Sequence, residues 1–265
     1  MQPTRKHDEI SGFLAIELAL EISRCNLPYF LGRDTLIKAS AGDTAYAPGG
    51  NAMTRTLTLR KTYTLEEYFA LEAESERTGG IRREFYNGAI IEMTGGTPVH
   101  SQLITSINAL LWFKLRGTGF SVFSTDLRLY IPAFEQYVYP DGMVIQNPIQ
   151  LKEGRKDTVI NPILIVEVLS PATESYDRGV KFTAYRSIPT LQEYLLVDQS
   201  QPRVEHYRRQ GNVEWVFRDY HSQDDMVALP SLNVTFSLAD IYSGIELELV
   251  PNITQPLHDP APADE

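Results

Sequence analysis

From residue 64 onward the chain switches repeatedly between two hydrophobic periods, and the switches outline its elements. Thr64 stands before an apolar-periodic run and has Glu67 three residues on, the reciprocal capping pattern that opens a helix, predicted over 65–76. Residues 83–93 read as a hairpin around Asn87-Gly88, a two-residue turn of the type that needs positive φ. Pro98 begins a run with Leu103, Ile107, Leu110 and Leu111 on one face, which predicts an amphipathic helix through Lys114, ended by the glycines at 117 and 119. Strands are predicted over 122–131 and 137–145, followed by a polar loop over 154–158. Pro162 leads into Ile163-Leu164-Ile165-Val166-Glu167-Val168-Leu169, β-branched and apolar on both faces, the mark of a strand buried on both sides. A helix over 174–187 follows, then strands over 193–197, 203–208 and 213–220, the last two joined at Gly211-Asn212. A helical turn over 238–242 closes the pattern. This order predicts an α/β fold with a mixed central β-sheet flanked by α-helices.

Before residue 60 the pattern is different. Residues 42–51 are rich in Gly, Ala and Pro without periodicity and read as a linker. We expect residues 1–60 to be a poorly ordered N-terminal extension, with Met53 as a second possible start, residues 61–245 to be the folded domain, and the Pro-rich residues 246–265 to be a disordered tail. The 265 residues are 43% hydrophobic and 22% charged, which fits a soluble globular protein. No run of 18 apolar residues is present, so no membrane-spanning helix is expected. Residues 13–20 are interrupted by Glu17 and make a poor signal peptide. The single Cys25 excludes an internal disulfide and cysteine-built zinc sites, and favours a cytoplasmic protein. The net charge of −10 argues against binding duplex nucleic acid through a broad basic surface. It leaves room for a local patch: Arg203, Arg208 and Arg209 are close in sequence, as are Arg82 and Arg83, and a merely solvated surface is the other reading of both groups.

Glu167 carries the chemistry. An ionised carboxylate in a buried strand is costly unless something pairs with it. A divalent cation shared with a second carboxylate is one solution, because Mg²⁺ prefers carboxylate oxygen and water. Asp141, between Pro140 and the apolar Gly142-Met143-Val144-Ile145, can supply that second carboxylate from a neighbouring strand. A Pro-Asp followed by a strand-borne Glu is the outline of a metal-dependent nuclease site. No phosphate-binding G-x-x-x-x-G-K-[ST] loop, dinucleotide fingerprint or G-x-S-x-G elbow occurs, and the five histidines lack zinc-protease spacing.

Seven stretches, in order, support a resemblance: Tyr63-Thr-Leu-Glu-Glu-Tyr68, Glu84-Phe-Tyr-Asn-Gly88, Thr97-Pro-Val-His-Ser101, Tyr139-Pro-Asp141, Ile165-Val-Glu-Val-Leu-Ser-Pro171, Tyr176-Asp-Arg-Gly-Val-Lys181 and Glu193-Tyr-Leu-Leu-Val-Asp198. Through them residues 62–242 resemble the Uma-type restriction-endonuclease family of the PD-(D/E)XK nuclease superfamily. The resemblance implies a restriction-endonuclease-like core, with Asp141 and Glu167 as ligands of Mg²⁺ or Mn²⁺. The superfamily pattern places a lysine two residues after the acid. Leu169 stands there, and the resemblance implies Lys181, on the following helix, as its replacement. The other reading of Lys181 is a surface i,i+4 ion pair with Asp177. Glu84 either completes the carboxylate cluster or is an exposed strand charge. His100 either contacts a phosphate or a metal-bound water, or is a half-buried helix-end histidine. Tyr185, one turn beyond Lys181, either holds it or is a core aromatic. The expected function is a Mg²⁺- or Mn²⁺-dependent DNA endonuclease acting as a homodimer without a membrane partner. The alternative is a catalytically inactive nuclease-fold binding or scaffold module.

Overall fold

The structure, a computed structural model, describes residues 62–93 and 95–247. Nearly all of the expected extension and tail lies outside these residues. The described chain falls into two units that meet in sequence between Thr94 and Gly95. Among the described residues no helix is long and apolar enough to cross a membrane.

The first unit holds α1 (Leu65–Thr78) and the hairpin β1 (Arg83–Tyr86) and β2 (Ala89–Glu92). The predicted capping box is present. The Glu67 N–H donates to Thr64 Oγ1 at 3.2 Å, and the Thr64 N–H donates to Glu67 Oε2 at 2.8 Å. Asn87 and Gly88 both take positive φ, +41° and +85°, so the two-residue turn matches the twist of its strands.

The second unit begins with α2 (Pro98–Leu115), capped by Thr97 with Pro98 in its first turn. β3 (Phe120–Ser124), β4 (Arg128–Ile131), β5 (Gln136–Val138), β6 (Gly142–Gln146), β7 (Thr158–Val159) and β8 (Pro162–Leu169) follow. Next comes α3, a helix in three consecutive pieces: α-helical Glu174–Tyr176, π-helical Asp177–Lys181 and α-helical Phe182–Tyr185. β9 (Glu193–Asp198), β10 (Val204–Gln210), β11 (Glu214–Tyr220), β12 (Met226–Leu229), β13 (Val234–Ser237) and α4 (Leu238–Tyr242) complete it.

Six strands form the main sheet in the order β11-β10-β9-β8-β6-β3. The β8–β9 pair is parallel and the other pairs are antiparallel, so the sheet is mixed as expected. β8 is buried along its whole length and separates two cores. On one face Leu164, Val166 and Val168 meet Leu103, Ile107, Leu111 and Leu115 of α2. Each of these helix side chains is essentially inaccessible, worth about 1.5–3 kcal/mol apiece on burial. On the other face Ile165 and Leu169 meet Ala184 and Tyr185 of α3. Helices therefore cover both faces at β8, which accounts for its apolar character on either side of Glu167.

Two predicted strands are corrected. The run 122–131 divides into β3 and β4, and the run 137–145 divides into β5 and β6, the members of each pair lying in different sheets. Pro140 explains the second break, because it has no N–H to continue a ladder. The break leaves Asp141 at the mouth of β6 rather than in mid-strand.

Candidate active site

Three elements of the second unit converge where β6 begins and β8 ends. Asp141 is buried, and its Oδ2 accepts the Val168 N–H at 2.8 Å, which places it against the residue following Glu167. Its backbone carbonyl accepts Asn108 Nδ2–H from α2 at 2.9 Å. Gly142 permits this approach, since a Cβ there would lie 2.7 Å from Asn108 Oδ1.

Glu167 belongs to the face of β8 that α3 covers. Its Oε1 accepts Lys181 Nζ–H at 3.0 Å and the Tyr185 hydroxyl at 2.7 Å. Lys181 Nζ also lies 3.2 Å from Asp177 Oδ1. Asp177, Lys181 and Glu167 are all buried, so the reading of Lys181 as a surface ion pair is overturned. The reason lies in the opposite layer: α3 turns this face onto the sheet. Tyr185 is fully buried and bonds the same oxygen as Lys181, so it steadies the carboxylate that the ammonium contacts.

His100 occupies the first turn of α2. Its backbone N–H donates to the Thr97 cap, and its Nε2–H donates to the Val168 carbonyl at 3.0 Å. A carbonyl only accepts, so this contact puts a proton on Nε2. The same nitrogen is 3.7 Å from Asp141 Oδ2. Asp141, Glu167, Lys181 and His100 are thus brought together. Glu84 stands on β1 in the first unit, 3% exposed and in register with Ile91. An exposed strand charge is therefore excluded for it, while its membership of the carboxylate cluster rests on the sequence.

Asp177 and Asn108 were missed as site residues. Asp177 carried a signal, its i,i+4 spacing to Lys181. Asn108 carried none, because nothing local shows that its amide reaches a carbonyl 33 residues away. The arginines considered as a patch are engaged internally in part. Arg203 forms a two-pronged pair with Asp219, and Arg209 donates to the carbonyls of Leu191, Arg186 and Ile188.

Burial pushes the Asp141 pKa above the usual carboxylate value; His100, the Val168 N–H and Lys181 pull it down without cancelling the rise, and Asp177 adds to it. An acid whose pKa is raised in the folded state contributes stability that is complete below its unfolded pKa of about 3.9 and is lost as pH rises through the folded value. Metal-free protein should therefore lose this contribution on going from acid toward neutral pH. Asp141→Asn should flatten that slope in urea titrations run across the same range; an unchanged slope would remove Asp141 as its source.

The donor set suits a hard divalent ion. Two buried carboxylates adjoin through Val168, and Lys181 already places positive charge on one of them. Among the described residues no ready cluster of three or more His, Cys, Asp or Glu side chains is present. A pair is sufficient for Mg²⁺, which commonly keeps several waters.

The family described as "Uma2: Putative restriction endonuclease" matches residues 65–240, more than half of the chain. The chain belongs to the Uma2 family. Two relatives come from Synechocystis sp. (strain ATCC 27184 / PCC 6803 / Kazusa). "Uncharacterized protein sll1609" is 38% identical over 159 residues, covering 60% of this chain and 88% of its own. "Uncharacterized protein slr1290" is 34% identical over 182 residues, covering 68% and 91%. Among solved structures, the chain is similar to a protein from Anabaena variabilis ATCC 29413 described as "a putative nuclease belonging to DUF820". That likeness has a TM-score of 0.55 at 21% identity and covers 68% of this chain and 98% of the other. The Uma2 fold here is accordingly restriction-endonuclease-like. The Uma2 match spans both units, and the convergence of Asp141, Glu167 and Lys181 falls inside it.

Proposed function

We propose that the protein is a Mg²⁺- or Mn²⁺-dependent endonuclease that hydrolyses phosphodiester bonds in DNA. The observation that carries this reading is Glu167 Oε1, a buried carboxylate oxygen on which Lys181 and Tyr185 both converge beside Asp141. Asp141 and Glu167 would hold the ion. When bound, the ion supplies polarisation of a phosphate oxygen and a lowered pKa for its water.

The chain's own residues do the rest. Lys181, a point charge with three donors, orients the attacking water and offsets charge developing at phosphorus. Tyr185 fixes the rotamer of Glu167, and the His100 N–H fixes the end of β8 at Val168. A symmetric homodimer, the commonest oligomer, would offer two such sites to two strands.

The test is incubation of supercoiled plasmid and single-stranded DNA with Mn²⁺, using wild type and Asp141→Ala. Nicking or linearisation by wild type alone supports the nuclease. Intact DNA with wild type, together with DNA binding, would favour the inactive binding module.

A further inference from the structure

We infer that Asp177 is a positioning residue that holds the Lys181 ammonium in place when Glu167 turns its charge to a metal ion. This rests on the metal-dependent nuclease reading. Asp177 is 2% exposed, and its Oδ1 accepts no hydrogen bond among the described residues. The Lys181 ammonium at 3.2 Å is what offsets the charge at that oxygen. A buried carboxylate in this position is costly, and Asn or a small apolar residue would fill the same space with less penalty. The charge is therefore explained by what it does to its neighbour.

The geometry gives it a distinct task. Lys181 has two carboxylate partners in different elements: Glu167 on β8 and Asp177 on its own helix. Glu167 is the proposed ligand, and a divalent cation drawn to it would repel an ammonium 3.0 Å from the same carboxylate. Asp177 opposes that repulsion from within α3. It is itself anchored at both backbone groups: its N–H donates to the Thr173 carbonyl at 2.9 Å, and its carbonyl accepts the Tyr194 hydroxyl at 3.1 Å. Tyr194 is fully buried, and its pKa is pushed well above the usual value by burial first and by the nearby Glu167 and Asp177 charges next, so it stays a donor. Asp177 and Lys181 bound the π-helical stretch, an irregularity found most often at functional sites. The Tyr176 ring, 5.6 Å from Nζ, adds a third favourable contact.

Two readouts test the assignment. In metal-free protein, acetic anhydride labelling followed by peptide mass spectrometry should modify Lys181 slowly in wild type and at least tenfold faster in Asp177→Asn, with Asp177→Glu restoring partial protection. In the plasmid assay Asp177→Asn should lower kcat at least tenfold with KM unchanged, and should cause no further loss in a Lys181→Ala background. All variants are compared at a temperature where circular dichroism shows them folded. Equal labelling of Lys181 in wild type and Asp177→Asn overturns the assignment, as does an independent further loss in the Lys181→Ala background, which marks a merely structural role. If wild type does not cleave, the nuclease reading fails, and the labelling still decides whether Asp177 holds Lys181.

Discussion

Lys181→Met should cost about 3–5 kcal/mol of folding stability, the range for breaking a buried ion pair by removing one partner. For a domain of this size that corresponds to a fall in Tm on the order of 10 °C. The argument is electrostatic rather than steric, since Met fills most of the space the lysine stem occupies. Without the ammonium, Glu167 and Asp177 are left as buried carboxylates without the cation between them. The variant Lys181→Met with Glu167→Gln and Asp177→Asn should therefore recover at least half the loss, because the neutral amides keep much of the shape and hydrogen bonding. Thermal and urea denaturation in metal-free buffer measure both variants. An exposed i,i+4 pair would instead lose only about 0.3–0.5 kcal/mol on the first substitution, with nothing to recover. A loss in that lower range would overturn the description of Lys181 as a buried clamped cation.

The leucine at position 169 has a geometric explanation in the same residues. Side chains two apart on a strand share a face, so position 169 lies on the face of β8 that bears Glu167. In this protein Leu169 is buried in the core beneath α3. α3 covers that face and delivers Lys181 to Glu167 Oε1. The lysine that reaches this carboxylate comes from α3. Leu169 is then free to contribute to packing, and Tyr185, one turn after Lys181, seals the same contact.

Local chemistry made much of the fold readable. Thr64 with Glu67, Pro98, and Asn87-Gly88 each specify a helix start or a turn within four residues, and each is realised. β8 was readable because eight successive buried positions leave an apolar run that no exposed strand tolerates. What escaped depended on short or distant signals. β12 and β13 offer four residues each, with only Val227, Leu229, Val234 and Phe236 facing the core, too few alternations to separate from loop. The β5–β6 break reads as one strand because the residues on either side of Pro140-Asp141-Gly142, 137–139 and 143–145, are apolar or aromatic. The acid pair was singled out from residue type and order, and Lys181 only through the family resemblance. The burial of Asp177, the bond from His100 to Val168 across 68 residues, and the hold of Asn108 on Asp141 were not, because each depends on which layer lies opposite.

Mn²⁺ should raise the stability of the wild-type protein, and Asp141→Asn should abolish that rise. At a free ion concentration a hundredfold above Kd, linkage predicts about 2.7 kcal/mol, a Tm increase of roughly 5–10 °C for a domain of this size. The affinity itself is expected from the relief of an existing cost. Asp141 is held in a site where burial disfavours its charged form, and a divalent ion compensates that charge at short range. Asp141→Asn removes the cost and the affinity together, so the variant should be no less stable than wild type without metal and indifferent to Mn²⁺ with it. This pairing separates a functional acid from one that merely supports the fold through its bond to the Val168 N–H. A structural Asp141 would lower metal-free stability on substitution and leave any Mn²⁺ response intact. A wild-type protein with no Mn²⁺ response at millimolar ion would count against the metal-dependent nuclease even if the fold were unchanged. Stabilisation by Mn²⁺ without cleavage would instead point to a working metal site whose substrate differs from the DNA supplied.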